Sequence, residues 1–580
     1  MACTERLTYI FIGGAMTSES DRLRTPSPLP ADVIVRLHPQ DPSDMRKWLV
    51  KISVFVNSTV PVNRLPPELL TEILQILRPD CPRDWSFVTV LLICRHWYHV
   101  AVSSPRLWTK IALGMPLPLV ETYLRRSRRA GLSLDTRAKC PEDSQDALLN
   151  MLSPHFDRVT HLETYSSQPY IKHHMKRLSF LSLHHDFSVH QSSSTIIVHG
   201  DDFPSLGSLS LGDFELKANI VDVHCLTSLT LDNMLCDTWD ELFNLLRSSP
   251  ALEHLTFGGL DIDAMTFPTD TRIRPILKFQ HLKSFKFLHY GGHAAMSFLL
   301  AHLALPRTAK IKIDTYLDAR GQAVHEDENA DLHHGILVAD IVPKDNIPFP
   351  ALSAVQALRV EFGYYSFDIK ALTLEDSEPC RADTTTITFS CYLADLFNLR
   401  SIQRQIMPEL GKVFPQSLTA LHVYVEEGCC YDTRQHSIEL YESWESLYYE
   451  AFPYLEEFHA SGPTPDFFTD FLFDIGPSSA QLREFDSLPW PMLKRIKFEY
   501  IAKEQEELDK SEAVIKDIVT SICNRQAALE ERLEHLALIF PEEPPNLRAH
   551  LGQLRGVTKT LVCNVGGHDL ALDEGESVTQ

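Results

Sequence analysis

Histidine and acid clusters are the first places to look for chemistry, and this chain is rich in both. Its 26 histidines include the neighbours His173–His174, His184–His185 and His333–His334. Histidines hold a metal when several ligands converge at a set spacing, and no such spacing accompanies these pairs. "HEDEN", starting at His325, approaches the H-E-x-x-H signature but lacks its second histidine. No G-x-x-x-x-G-K-[ST] loop, G-x-G-x-x-G fingerprint or G-x-S-x-G elbow occurs. The 12 cysteines contain no C-x-x-C pair, and the adjacent Cys429–Cys430 suits neither an ordinary disulfide nor a zinc knuckle. That usage fits a reduced, intracellular protein. The expectation is no metal, no cofactor and no catalytic residue.

Charge removes further classes. The 580 residues carry 54 basic and 77 acidic side chains, a net charge of −23. Such a surface repels phosphate backbones and anionic lipid, so neither nucleic acid nor membrane is expected as a partner. "RRSRR", Arg125 to Arg129, is the one basic cluster. It reads either as a nuclear signal or as the solvated face of a linking helix. "LTYIFIGGAM", Leu7 to Met16, resembles a weak signal sequence without a basic flank or a cleavage site. "WLVKISVFV", Trp48 to Val56, is interrupted by Lys51 and too short to span a bilayer. The expected location is cytoplasmic and/or nuclear.

With chemistry absent, the apolar elements carry the reading. In "LPPELLTEILQIL", Leu65, Leu69, Ile73 and Leu77 recur every four residues, and Leu70 and Leu74 widen the stripe. Pro66 and Pro67 suit a first helical turn, where a missing N–H is harmless. Glu68 favours the positive end of the helix dipole. That is more apolar surface than one buried face of a short helix needs. "RPDCPRDW" then breaks the chain. A second helical stretch carries Val88, Leu91, Leu92, Cys94 and Trp97, and "SSPRLWTKI" makes a turn with Leu107, Trp108 and Ile111.

"LPPELLTEIL" followed by "VLLICRHWYHVAVSSPRLW" resembles an F-box, whose pattern is L-P-x-E, an apolar helix, V-C-[RK]-x-W and a final L-W. Leu65, Pro66, Glu68, Ile93, Cys94, Arg95, Trp97, Leu107 and Trp108 supply it in order, across a first linker that is longer than usual. The resemblance implies that the surplus apolar surface docks on a small Skp-type adaptor. It implies adaptor contacts at Leu65, Pro66, Leu69, Ile73, Leu92 and Cys94. Trp97, Leu107 and Trp108 would form the core of the F-box.

Beyond residue 114 one phrase recurs: apolar, two residues, apolar, one residue, apolar. "LSFLSL", "LGSLSL", "LTSLTL", "LEHLTF" and "LKSFKF" start at Leu178, Leu206, Leu226, Leu252 and Leu282, spaced 28, 20, 26 and 30 residues apart. Later copies start at Val355, Leu418, Leu455, Leu493 and Leu533. Several follow "FP" or "SP", and helix-like segments such as "TWDELFNLLRSSP" lie between them. These spacings approach a leucine-rich-repeat length. One strand plus one helix cannot bury its apolar face alone, whereas stacked copies share a core. Alternate strand residues then face outward, which marks Ser182, Ser210, Thr230, Thr256 and Lys286 as candidate target contacts. Ala502 to Leu533 reads as a long exposed helix.

The expected fold is α/β: a small all-helical F-box, then an irregular leucine-rich-repeat solenoid with a curved parallel sheet. The expected divisions are 1–62, mostly disordered; 63–113, the F-box; 114–565, the repeats, with an acidic insert near 316–335; and 566–580, an acidic tail. The arrangement is similar to the F-box proteins expanded in mushroom-forming fungi. Such a resemblance implies a substrate-receptor subunit of an SCF-type cullin–RING ubiquitin ligase, itself not an enzyme, whose partners are the adaptor and an unknown protein target. The rival is an adaptor-bound scaffold with no role in ubiquitin transfer, and the insert is the rival target site.

Overall fold

Proline and branched side chains set the first described elements. The computed structural model describes residues 42–77, 89, 91–137, 142–165, 169–185, 198, 200–213, 215–216, 223–233, 235–236, 238–259, 276–289, 293–317, 352–363, 366–373, 385–393, 409–426, 451–462, 490–501 and 511–570. The chain divides into two compact units, with the boundary between Leu107 and Trp108. The acidic insert expected near 316–335 starts later, since Tyr316 and Leu317 end the strand Lys310–Leu317; its remainder from residue 318, the tail beyond 570 and the Cys429–Cys430 pair lie outside the described residues.

In the first unit a helix spans Pro42–Thr59 and a 3-10 turn spans Pro61–Arg64. Within the 1–62 segment expected to be mostly disordered, residues 42–59 are thus helical, and residues 1–41 lie outside the described residues. Met45, Leu49, Ile52 and Val56 recur at helical spacing, a period hidden by the polar, proline-rich stretch before them. Helices Pro67–Ile76 and Arg95–Ser103 follow. The second of these starts later than its apolar spacing suggests. Cys94 is its N-cap, with an extended backbone at φ −159° and ψ 168°, so Leu91 to Cys94 form a turn rather than helix. No helix among the described residues is long and apolar enough to cross a membrane.

Among the described residues, the second unit is built on one 18-stranded sheet, accompanied by two small two-stranded pairings. Strands pair in parallel and in chain order from Lys110–Ala112 through Leu132–Asp135, Val159–Tyr165, Phe180–His184, Ser208–Gly212, Ser228–Asp232, His254–Gly258 and Ser284–His289 to Lys310–Leu317. The order then changes. Lys310–Leu317 lies beside Thr385–Leu393, which runs antiparallel to Ser366–Leu372, which runs antiparallel to Ala357–Phe362. Ala420–Val425 pairs in parallel with Ala357–Phe362, and the parallel chain order resumes through Glu457–Gly462, Arg495–Tyr500 and Leu533–Phe540 to Thr558–Val565. The two-residue strand His568–Asp569 closes the last edge. The expected parallel sheet is thus interrupted by a three-strand antiparallel block.

The phrase explains why these residues form strands. Leu181, Leu209, Leu229, Leu255 and Phe285 stand directly beside one another across five strands, and all are fully buried. Leu183, Leu211, Leu231, Phe257 and Phe287 form a second buried row two residues on. The opening residue of each phrase is buried as well, below a tight turn: Leu206 N–H donates to Phe203 O at 3.0 Å and Leu455 N–H to Phe452 O at 3.2 Å. Pro204 and Pro453 sit at the second position of those turns, where a fixed φ is pre-set. This is the physical content of the "FP" lead-in.

Three neighbouring strands also end alike. Asp213, Asn233 and Gly259 follow them with φ of 63°, 49° and 65°, a left-handed turn that Asp, Asn and Gly tolerate best. Each N–H donates to the next strand: Asp213 to Asp232 O, Asn233 to Gly258 O and Gly259 to Leu288 O.

Helices add apolar packing of their own. Trp239, in helix Trp239–Arg247, meets Phe298, in helix His293–Ala301, at 4.7 Å between ring centroids. Helix Ser511–Leu529 buries Val514, Ile515, Ile518, Val519 and Ile522, so the expectation of an exposed helix is corrected. Those five residues share one face at 3.6-residue spacing, which the many charges before residue 511 obscure.

Candidate functional site

The helix Pro67–Ile76 divides its apolar residues sharply. Leu70 and Leu74 are fully buried, whereas Leu69, Ile76 and Leu77 are 53%, 83% and 51% exposed. Leu65 and Ile73 are half-buried, and Pro66 is exposed. The turn before the next helix repeats the division. Leu91 is buried, Leu92 and Ile93 are 76% and 51% exposed, and Cys94 is half-buried. Covering one half-exposed leucine or isoleucine contributes about 1 kcal/mol at roughly 25 cal/mol per Å². Several such residues on one small helical unit make a surface suited to association.

Trp97, Val100 and Ala101 form the buried side of Arg95–Ser103. Asn63, which the sequence reading missed, anchors them. Its Oδ1 accepts from Trp97 Nε1, its Nδ2 donates to Asn57 O at 2.6 Å, and Cys94 Sγ lies 3.9 Å from its Oδ1. One asparagine therefore ties the preceding helix to the tryptophan. No local pattern marks it, because its partners lie 34 and 6 residues away. Thr71 Oγ1 lies 2.9 Å from Ser104 Oγ and joins helix Pro67–Ile76 to the end of helix Arg95–Ser103. Leu107 is fully buried and Trp108 is 1% exposed. Trp108 falls in the second unit, where it meets Tyr123 edge-on at 4.9 Å and lies 4.3 Å below the Arg126 guanidinium. The cluster Arg125 to Arg129 thus closes the helix Leu117–Ser127 and the turn after it, a favourable place for positive charge.

The candidate target residues share one line across the sheet. Ser182, Ser210, Thr230, Thr256 and Lys286 are direct register partners on successive strands. Ser210, Thr230 and Thr256 are half-buried and Lys286 is exposed. Ser182 is corrected: it is only 5% exposed, and its hydroxyl is 3.1 Å from Nε2 of His184. The neighbouring line explains part of this. The His184 ring lies over Gly212, and the Asp232 carboxylate lies against Gly258, each in a space that a Cβ would fill.

The same line continues through Lys312, Thr388, Lys370, Arg359, His422, His459 and Lys497. These were readable but overlooked: the next-to-last residue of the phrase gives Arg359, His422, His459 and Lys497 in the later copies, as it gives Ser210 and Thr230 in the early ones. Their partners are carboxylates beside the line. Lys312 pairs with Asp314 at 2.7 Å, Lys497 with Glu499 at 3.1 Å and Arg495 with Glu457 at 3.0 Å, while Arg359 and Lys370 share Glu361. His422 and His459 meet edge-on at 5.3 Å. His422 Nε2 is 3.5 Å from Glu457 and His459 Nε2 is 3.3 Å from Glu499. The His422 imidazole, with Arg495, holds the Glu457 carboxyl down to about 2. His459 and Lys497 do the same for Glu499, also to about 2. Burial lowers the pKa of His459 itself.

Among the described residues no group of three or more His, Cys, Asp or Glu side chains is placed to hold a metal ion. The arrangement offers two association surfaces, one apolar and one ionic. A comparison with curated proteins gave no match. Residues 62–114 match the family model described as F-box-like, which supports a role in binding a Skp-type adaptor.

Proposed function

We propose that the chain is the substrate-receptor subunit of an SCF-type cullin–RING ubiquitin ligase. The observation that carries this reading is the exposed apolar set of Leu69, Ile76, Leu77, Leu92 and Ile93 inside the F-box-like segment. The adaptor covers that set, with Leu65, Pro66, Ile73 and Cys94 at its margin. The second unit is an irregular leucine-rich-repeat-like solenoid, a reading supported by its parallel strands in chain order, its aligned leucine rows and its repeated entry turns. Its outward line of side chains holds the target. The chain performs no chemistry: it keeps a target lysine near a ubiquitin thioester carried by another enzyme, and proximity supplies the rate. It works in the cytoplasm and/or nucleus.

Reconstitution with adaptor, cullin, RING subunit and ubiquitin-charging enzymes tests the reading. Proteins that co-purify with the chain serve as substrates, and their ubiquitination is expected only when the chain is present. Adaptor binding without chain-dependent transfer to any of them would establish the scaffold instead.

A further inference from the structure

The outward line changes character at the strands Ser284–His289 and Lys310–Leu317. Before them it carries hydroxyls; at them it carries ammonium groups. Lys286 and Lys312 stand directly opposite each other on adjacent strands, and Lys310 stands opposite Ser284. Phe285, Phe287, Ile311 and Ile313 point into the core, so all three lysines share the outward face, and all three are exposed. Like charges directly opposite in a sheet are destabilising. Two nearby carboxylates are already engaged, Asp314 with Lys312 at 2.7 Å and Glu253 with Lys283 at 2.7 Å, and the Asp368 carboxylate also acts on Lys312. Among the described residues, no ion pair reaches Lys286 or Lys310. On a chain of net charge −23, this is a corner of uncompensated positive charge.

We infer that this corner, Lys286 and Lys310 with Lys312 beside them, docks an acidic, extended segment of the target protein. The inference rests on the reading of the outward face as the target surface and names the chemistry it selects. Lys286 and Lys310 are diagonal neighbours across two strands, about 7–8 Å apart. Alternate residues of an extended chain repeat every ~6.6 Å and point to one side. A Glu-x-Glu run laid across the strands therefore presents one carboxylate to each ammonium. The hydroxyls of Thr256 and Ser284 lie on the same face, Thr256 opposite Lys286 and Ser284 opposite Lys310, and offer hydrogen bonds to the peptide between its acids. A basic segment is repelled by the same corner, so the charge selects as well as holds.

The test uses the full chain with co-purified adaptor and two fluorescent probes, a ten-residue Ser-Glu repeat and a Ser-Gln repeat of equal length. Fluorescence anisotropy at low salt is expected to show the Ser-Glu probe bound at least roughly tenfold more tightly, with the preference fading as salt rises. Lys286→Glu with Lys310→Glu should abolish the preference, and the milder Lys286→Ala with Lys310→Ala should weaken it. Lys559→Glu, at an exposed position on the last long strand, should leave it intact. Equal binding of both probes by the unaltered chain overturns the inference. So does equal binding by the double charge reversal, or an equal loss with Lys559→Glu, which would mark diffuse electrostatics. The probes need neither ubiquitin nor a working adaptor contact. Normal target ubiquitination without an acidic preference removes this inference alone, whereas an acidic preference without ubiquitin transfer removes the receptor reading alone.

Discussion

The helix Pro67–Ile76 and the strands Ser208–Gly212 and Ser228–Asp232 are both leucine-rich, yet only the helix leaves a leucine exposed. In the strands Leu209 and Leu229 are fully buried, because each is flanked by a like residue on the next strand. In the helix Leu70 and Leu74 are buried while Leu69 is 53% and Ile76 is 83% exposed. Strand leucines are matched within the chain. In the helix Leu69 and Ile76 are not, and that surplus suits association with an outside partner.

The comparison is broken most directly by charging the surplus. Leu69→Asp with Ile73→Asp should abolish adaptor capture in a pull-down, since an unpaired carboxylate at an apolar interface costs several kcal/mol. The melting curve of the second unit should not move. Retained adaptor binding would end the F-box reading of this surface. Leu229→Ala does the converse. It should cost on the order of 2–5 kcal/mol in denaturant unfolding and leave adaptor binding as it was. A cost within about 0.5 kcal/mol would show that the rows do not share a core.

A finer probe lies at Gly258, where a Cβ would collide with the Asp232 carboxylate. Gly258→Ala should destabilise by about 1–3 kcal/mol, and Asp232→Ala in the same chain should restore part of the loss. Additive losses would place the strain elsewhere. The smallest effect is one of pH. His459 is half-buried, and desolvation lowers its pKa from 6.5, so the unfolded chain takes up the proton first and stability falls as pH drops below about 6.5. Glu457 and Glu499, held at about 2 against an ordinary 4.5, add stability that is present above about 4.5 and lost as pH falls toward 2. Melting temperature against pH should therefore decline in two stages. His459→Gln should remove the upper stage and narrow the lower one, and an unchanged profile would count against the histidine–carboxylate pairing.

Much of this was legible in the sequence. The phrase starting at Leu206, Leu226 and Leu252 placed three strands and their buried rows, because a period of two with leucine at each inward position admits few other folds. The two half-motifs at Leu65 and Cys94 marked the F-box-like segment. Other parts were legible but unread. "GD", "DN" and "GG" after successive strands are the left-handed turns at Asp213, Asn233 and Gly259. The antiparallel block was hidden for a physical reason. "SFDIKAL" and "TTITFSCYL" alternate as strands do but lack the leucine phrase, and the block joins the first parallel run through Ile387 opposite Ile311, a distant pairing that no local pattern marks. Asn63 was beyond reach for the same reason.

That block also sets an order of assembly. In the first parallel run, partners such as Leu229 and Leu255 are 26 residues apart in the chain. At the junction, Ile311 meets Ile387, 76 residues away. Closing the longer loop costs about 1 kcal/mol more in chain entropy, and none of that cost is recovered until several strands have already zipped. Each parallel run can grow from neighbour to neighbour as it leaves the ribosome, while the junction must wait for both sides. Slow folding, and chaperone capture during it, should therefore concentrate at this one seam.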